Sequence, residues 1–286
     1  MPKFLLTLSF ILFLFFSCNA PPSVVSTEKD ESEIQSSDNF LYDLNENEIS
    51  IMTIPAPLQI ATVLRNNAPE NYHSDWLMSS EKEIDNTVSS RIKAIYLGLY
   101  SVDLGYSTLY EQYKTAANYL LKSETILRGM GISDTDIPSY SQRFERNKNL
   151  DTLSIFILEF NNSISNYFQN NQREDLGLLV LTGSFIEGFY LLTSVATIEN
   201  EINLQLIFQH QLFLNNIIKL LGYYDSKGES ESFVNELKEL NKLFEAINIS
   251  KEDIANNNFK NKITAEQLSA IKAKVGTIRN ELVNVK

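Results

Sequence analysis

The sequence predicts an all-α protein: a single-domain antiparallel helical bundle, or a tetratricopeptide-like helical array, of about seven to nine helices. Three observations carry that expectation. Proline stops at Pro138, so the last 148 residues of the 286 run without the strongest helix breaker. Strand-like alternation of apolar and polar residues is almost absent after residue 50. Two stretches, Leu97–Tyr110 and Thr182–Tyr190, are apolar on nearly every side and notched by small residues, which suits helices at the centre of a bundle.

The chain opens with an address rather than with structure. Lys3 precedes thirteen residues, Phe4 to Phe16, that are apolar except for Thr7 and Ser9. A bilayer span takes about 20 apolar residues, so this run fits a secretory h-region, and residues 1–17 are read as a lipoprotein signal peptide. The run ends Phe15-Phe16-Ser17-Cys18, with a small residue just before the only cysteine of the chain. Cys18 is therefore expected to be lipidated and to become the mature N-terminus, although Phe15 stands where a lipobox usually has Leu. An ordinary signal peptide cleaved after Ala20 is the alternative. Lipidation would leave no cysteine for a disulfide, a thiol nucleophile or a metal cluster.

Residues 18–50 read as an acidic disordered tether. Between Glu28 and Glu48 there are eight acids and one lysine, a net of −7 out of −12 for the whole chain. Such a segment buries too little apolar surface to offset its ordering entropy. It serves as a spacer, or as a surface-export signal whose acids begin ten residues after Cys18. The body that follows carries about −6 and no Lys/Arg cluster, which disfavours nucleic acid and anionic lipid faces as partners. The expected membrane contact is the N-terminal lipid, and another envelope protein is the other expected partner.

Within the body, 51–286, Thr53-Ile-Pro-Ala-Pro57 starts a short helix to Asn67, with its prolines in the first turn. A loop carrying His73 and Trp76 follows. Ser80-x-x-Glu83 reads as a capping box opening a long helix through Tyr106, and after a break near Gly105–Ser107 its mate runs from Leu109 to Arg128, closed by Gly129-Met-Gly131. No period of about 34 residues recurs, so a true tetratricopeptide repeat is not indicated. Residues 139–171 form one helix or two, 173–196 the second buried-type helix, and 199–221 the next, ending at Gly222. Residues 233–247 and 264–285 make a C-terminal hairpin, the last helix capped by Thr264-x-x-Gln267. Its Leu268, Ile271, Val275, Ile278, Leu282 and Val285 run with a 3.5-residue period, a seam expected to pack on the preceding helix rather than on a second copy.

Glycines 98, 105, 177, 183 and 188 are half of the chain's ten, and all fall inside helical patterns. Each costs about 1 kcal/mol against alanine there, so together they point to close backbone packing between the two central helices.

The run Leu97-Gly-x-Tyr-x-x-Asp-Leu-x-Tyr106, the following Tyr110-Glu-Gln-Tyr-Lys114, Ile186-Glu187-Gly188-x-Tyr190 and the early Ile54-Pro-Ala-Pro-Leu58 resemble an uncharacterised family of all-helical lipoproteins of Bacteroidetes. The resemblance covers residues 51–221 and implies fold and envelope location; it implies no activity and no site residue.

The candidate chemistry is a buried polar cluster of Asp103, Tyr106, Glu187, Tyr190 and Glu159. Asp103 and Glu187 each precede a tyrosine by three residues, which puts acid and hydroxyl on one helical face, and Glu159 lies in the apolar run Ile155–Phe160. Burial would raise their proton affinity and make general acids or a paired carboxylate site. The favoured reading is a set of internal fasteners in which each acid is bonded to its tyrosine or to backbone. No metal or cofactor is expected. Glu70-x-x-His73 has di-iron spacing but falls in a loop, and His210, the other histidine, has no Glu three residues before it and is read as a polar interhelical contact. Gly-x-Ser-x-Gly and phosphate-cradling glycine loops are absent. The expected function is a lipid-anchored binding or scaffolding module of the cell envelope, in the outer membrane and facing the periplasm or the cell surface. The alternative is an enzyme or small-ligand sensor built on the Asp/Glu/Tyr cluster.

Overall fold

The structure is a computed structural model that describes residues 62, 64–66, 72–79, 84, 88–147, 149–224, 231–247, 249, 250, 252, 253, 256, 258, 259 and 261–283. The expected signal peptide with Cys18, the expected tether, the expected Ser80/Glu83 capping box, Glu70 and Val285 lie outside the described residues. Every described residue belongs to one unit, Leu44–Lys286. Among them all regular structure is helical, and it includes a 3-10 turn, Ser74–Trp76, and eight α-helices whose bounds are defined. These are α1 (Ser90–Leu109), α2 (Tyr113–Gly129), α3 (Ser141–Glu145), α4 (Leu150–Asn170), α5 (Glu174–Val195), α6 (Glu201–Tyr224), α7 (Glu231–Glu245) and α8 (Ala265–Val283). The expected all-α class is what the structure has.

Helices α1 and α5 form the axis, and the contact between them is the most extensive in the molecule. Around this pair, α2, α4 and α8 pack on α1, while α4, α6 and α8 pack on α5; α7 closes the bundle against α6 and α8. Enclosure on all sides is why neither central helix has a polar face: from Tyr96 to Leu109, α1 is buried at every position. Helix α5 is long and apolar enough to cross a membrane by length and composition, yet 78% of its most apolar window is buried inside the protein.

The two axial helices approach so closely because each is notched where they cross. A Cβ on Gly98 would lie 2.0 Å from the Val180 carbonyl oxygen, and one on Gly183 would lie 2.2 Å from the carbonyl oxygen of Ile95. The Ser184 hydroxyl then reaches across to donate to the Gly98 carbonyl at 3.2 Å. The outer helices show the one-sided spacing expected of them, as in α2, which buries Ala116, Tyr119, Leu120, Ser123, Glu124 and Leu127. In α8 the seam residues Leu268, Ile271, Val275, Ile278 and Leu282 are all buried. They pack against α5 as well as α7, so the seam is an internal contact.

The helix boundaries differ from expectation in three places. Helix α1 begins at Ser90, capped by the Ser89 hydroxyl accepting from the Ile92 N–H at 3.3 Å, ten residues after the expected start at Ser80. It also runs unbroken through Gly105–Ser107. Its end is a Schellman turn in which Gln112 N–H bonds Ser107 O and Glu111 N–H bonds Thr108 O, with Glu111 at φ 59°. The same turn closes α4 at Gln172 (φ 55°) and α2 at Gly131 (φ 80°); only the last has the glycine that advertises it. Helix α6 passes through Gly222 to Tyr224. The Thr264/Gln267 box is present as read: Gln267 N–H donates to the Thr264 hydroxyl at 3.2 Å and Thr264 N–H to Gln267 Oε1 at 2.9 Å.

Residues 139–171 form two helices, the second opening at Asn149, whose side chain accepts from the Thr152 N–H at 2.9 Å. Glu124 of α2 is buried, and its carboxylate accepts from the N–H groups of Tyr140 (2.6 Å) and Ser141 (2.9 Å) and from the hydroxyls of Ser139 and Ser141. A fixed anion thus sets the start of α3. The buried Lys93 of α1 likewise donates to the Gly129 carbonyl at 3.0 Å, placing a cation at the C-terminus of α2.

Candidate functional site

Asp103 and Glu187 sit at the middle of α1 and α5, both with no solvent exposure, and the glycine-notched crossing brings them together. Their tyrosines do not bond them. The Tyr106 hydroxyl accepts from the His73 N–H at 3.1 Å, and the Tyr190 ring lies against the guanidinium of Arg279, 4.3 Å from its carbon. Glu187 is instead met by Arg279 of α8 in a two-pronged fork, Nε to Oε2 and Nη2 to Oε1, each 2.7 Å. Such a planar fork is the strongest way to hold a buried carboxylate.

Asp103 accepts the Met78 N–H on Oδ2 at 2.9 Å, and its carboxyl group lies beside that of Glu187. Burial and the neighbouring Glu187 charge push Asp103 well above the usual carboxylate range, which favours its protonated form. Its Oδ1 meets no N–H or O–H donor, which suits an oxygen that bears the proton itself. Burial pushes Glu187 upward too, and the Arg279 fork opposes that rise. Arg279 is held above its ordinary value by Glu187, against the effect of its own burial. The cluster therefore gathers two carboxyl groups and one guanidinium away from water, with the guanidinium forked onto Glu187.

The same side chains hold a segment of chain by its backbone. Arg279 Nη2 donates to the Trp76 carbonyl at 2.8 Å, and Asp103 takes the Met78 N–H. The Tyr119 hydroxyl donates to the Met78 carbonyl at 2.5 Å and that of Tyr100 to the Ser79 carbonyl at 3.3 Å, while Tyr106 takes the His73 N–H. Burial raises the pKa of all three tyrosines, that of Tyr106 to about 12, which keeps their hydroxyls as donors.

Glu159 does not join the cluster. It is exposed on α4, beside the exposed Ile155 and Leu158, and pairs loosely with Arg143 at 3.8 Å. His210 is buried among Phe185, Phe189 and Phe213, with Nδ1 2.7 Å from the Leu206 carbonyl, so it is packed within an aromatic group rather than at a polar interhelical contact. Burial pushes its pKa down to about 4, and it is neutral at pH 7. His73 stacks on Trp76 at 3.8 Å. Among the described residues no group of three or more His, Cys, Asp and Glu is placed to hold a metal ion.

Sequence reasoning missed Arg279 and Glu124. Arg279 stands four residues after Val275 and three before Leu282, on the flank of the α8 seam, so a cation beside an apolar stripe was the available signal. Comparison with protein-family models, with curated proteins and with solved structures gives no match.

Proposed function

We propose that the chain is a lipid-anchored protein of the cell envelope whose helical body is a binding or scaffolding module. The observation that carries the anchor is the position of Cys18, the sole cysteine, directly after an apolar run too short to span a bilayer. More than one acyl chain on that residue gives stable anchoring, at about 0.8 kcal/mol per buried CH₂. The acidic tether and the resemblance to helical lipoproteins of Bacteroidetes support an outer-membrane position, facing the periplasm or the cell surface. Radiolabelled palmitate is expected to enter the wild-type chain and not Cys18→Ala; label retained by the variant refutes the anchor.

The binding role is supported by how the buried polar groups are engaged. Asp103, Glu187 and Arg279 are occupied with one another and with the chain's own backbone. A second reading, an enzyme or small-ligand sensor working through Asp103 and Glu187, draws on their convergence. It requires a path from solvent to two carboxyl groups that have no exposure. Affinity purification from gently solubilised envelopes separates the readings: a module co-purifies with a partner protein, whereas recovery of the chain alone, as a monomer, counts against scaffolding.

A further inference from the structure

The held segment His73–Ser79 makes two turn bonds of its own, Trp76 N–H to His73 O and Leu77 N–H to Ser74 O, and beyond them has the contacts of a bound peptide. A loop normally satisfies its backbone through its own turns. Here five main-chain groups, the N–H of residues 73 and 78 and the carbonyls of 76, 78 and 79, are met by side chains from three different helices. Side chains that meet main-chain groups do not select the residues that carry them, so the row reads the backbone much as a peptide groove does. Selection comes from one position. Met78 has both its N–H and its carbonyl engaged and is 3% exposed, whereas Ser74, Asp75 and Ser79 are exposed and His73, Trp76 and Leu77 half-buried. The row also has support that does not depend on the segment: Glu187 holds Arg279 from behind through both prongs of its guanidinium.

We propose that Tyr100, Asp103, Tyr106, Tyr119 and Arg279 form a binding site for a short peptide that carries a single 3-10 turn followed by an unbranched apolar anchor residue, occupied here by the chain's own residues 73–79. The partner is a polypeptide segment of the same chemistry, which enters when the resident segment leaves. This rests on the reading of the body as a binding module and names what it binds.

Trp76, the only tryptophan, makes the site readable. The full chain carrying Trp76→Phe has no tryptophan, so a synthetic peptide of residues 72–79 supplies the whole signal. With Met78→Asp added to the protein to weaken the resident segment, the peptide emission is expected to change saturably, at least tenfold tighter than with Trp76→Phe alone. Tyr119→Phe is expected to weaken that binding about tenfold, and a peptide with Asp at its Met78 position is expected not to bind. No saturable change in a Met78→Asp protein that keeps its helical circular dichroism overturns the proposal.

If Met78→Asp does not fold, hydrogen exchange on the wild-type chain decides. The Met78 amide is expected to exchange through local opening, well before the α1 amides. Exchange of Met78 only with global unfolding makes the segment an integral part of the core and removes the site. Partner proteins that co-purify from envelopes equally well with Tyr119→Phe would also remove this site while leaving the binding-module reading intact.

Discussion

Replacing Gly98 by alanine tests the geometry on which the bundle rests. At an ordinary helix position this change stabilises by about 1 kcal/mol, because alanine is the better helix former. At Gly98 the new methyl would stand 2.0 Å from Val180 O and 2.6 Å from Ser184 N, and ordinary contact begins near 3.4 Å. Both obstructing atoms are backbone, so no side chain can rotate aside and α1 must move off α5 by more than an ångström. Overpacking of this kind costs about 1–3 kcal/mol and sometimes more. The stretched Ser184–Gly98 hydrogen bond adds about 1 kcal/mol. After the propensity gain, Gly98→Ala is expected to destabilise by about 1–3 kcal/mol. Gly222, exposed on α6 with nothing within 4 Å of where an alanine methyl would stand, provides the matched control. There the same substitution is expected to stabilise by about 0.5–1 kcal/mol. Urea unfolding followed by far-ultraviolet circular dichroism reads both as opposite shifts of the midpoint at unchanged slope. Gly183→Ala should resemble Gly98→Ala, and the double variant should cost less than the sum, since one substitution already opens the shared crossing. A Gly98→Ala protein as stable as wild type would show that the helices do not cross at these notches.

Four further expectations follow from the buried groups and the helix ends. Asp103 binds its proton more tightly folded than unfolded, so its contribution is complete below about pH 4 and declines as pH rises through the higher folded value. Asp103→Asn keeps the acceptor for Met78 N–H and supplies a permanent donor to Glu187, so it should flatten that decline in a series of urea midpoints. His210 acts in the opposite sense. With its pKa lowered to about 4, it stabilises fully above about pH 6.5 and loses on the order of 3 kcal/mol as pH falls, and His210→Phe should remove this acid limb. Glu187→Gln leaves Arg279 buried without its counter-charge and should cost about 3–5 kcal/mol, much of it recovered when Arg279→Met is added; a full loss in the double variant would place the cost elsewhere. Gln172→Gly, at a left-handed cap where only glycine is unstrained, should raise the thermal midpoint by an amount worth about 1 kcal/mol, and a lowered midpoint would contradict the assigned turn.

The parts of the fold legible in the sequence are those where one physical demand dominates. Leu97–Tyr110 and Thr182–Tyr190 read as axial helices because they are apolar on nearly every side, and of the five mid-helix glycines that pointed to close packing, Gly98 and Gly183 are the ones at the crossing. Boundaries were less legible because several residues can serve one purpose. Ser80 and Ser89 are both competent caps, and Glu111 and Gln172 take left-handed turns that glycine would have announced. Convergence of Asp103 and Glu187 followed from the pairing of their helices, but their bonds did not. The spacing to Tyr106 and Tyr190 places groups on one face without saying what lies opposite, and Arg279 arrives from 92 residues beyond Glu187. Glu159 misled because its neighbours Ile155 and Leu158, though apolar, turn outward with it.

Helix α5 carries one more implication, for the making of the protein. A chain exported across a membrane must pass its 22 residues, apolar enough to lodge in the bilayer, through the secretion channel without halting there. Glu187 lies near their midpoint, and an acidic side chain at the bilayer centre adds about 3 kcal/mol to insertion. Under the proposed export, Glu187 would also keep α5 moving, and Glu187→Leu would be expected to strand part of the nascent protein as an integral membrane species.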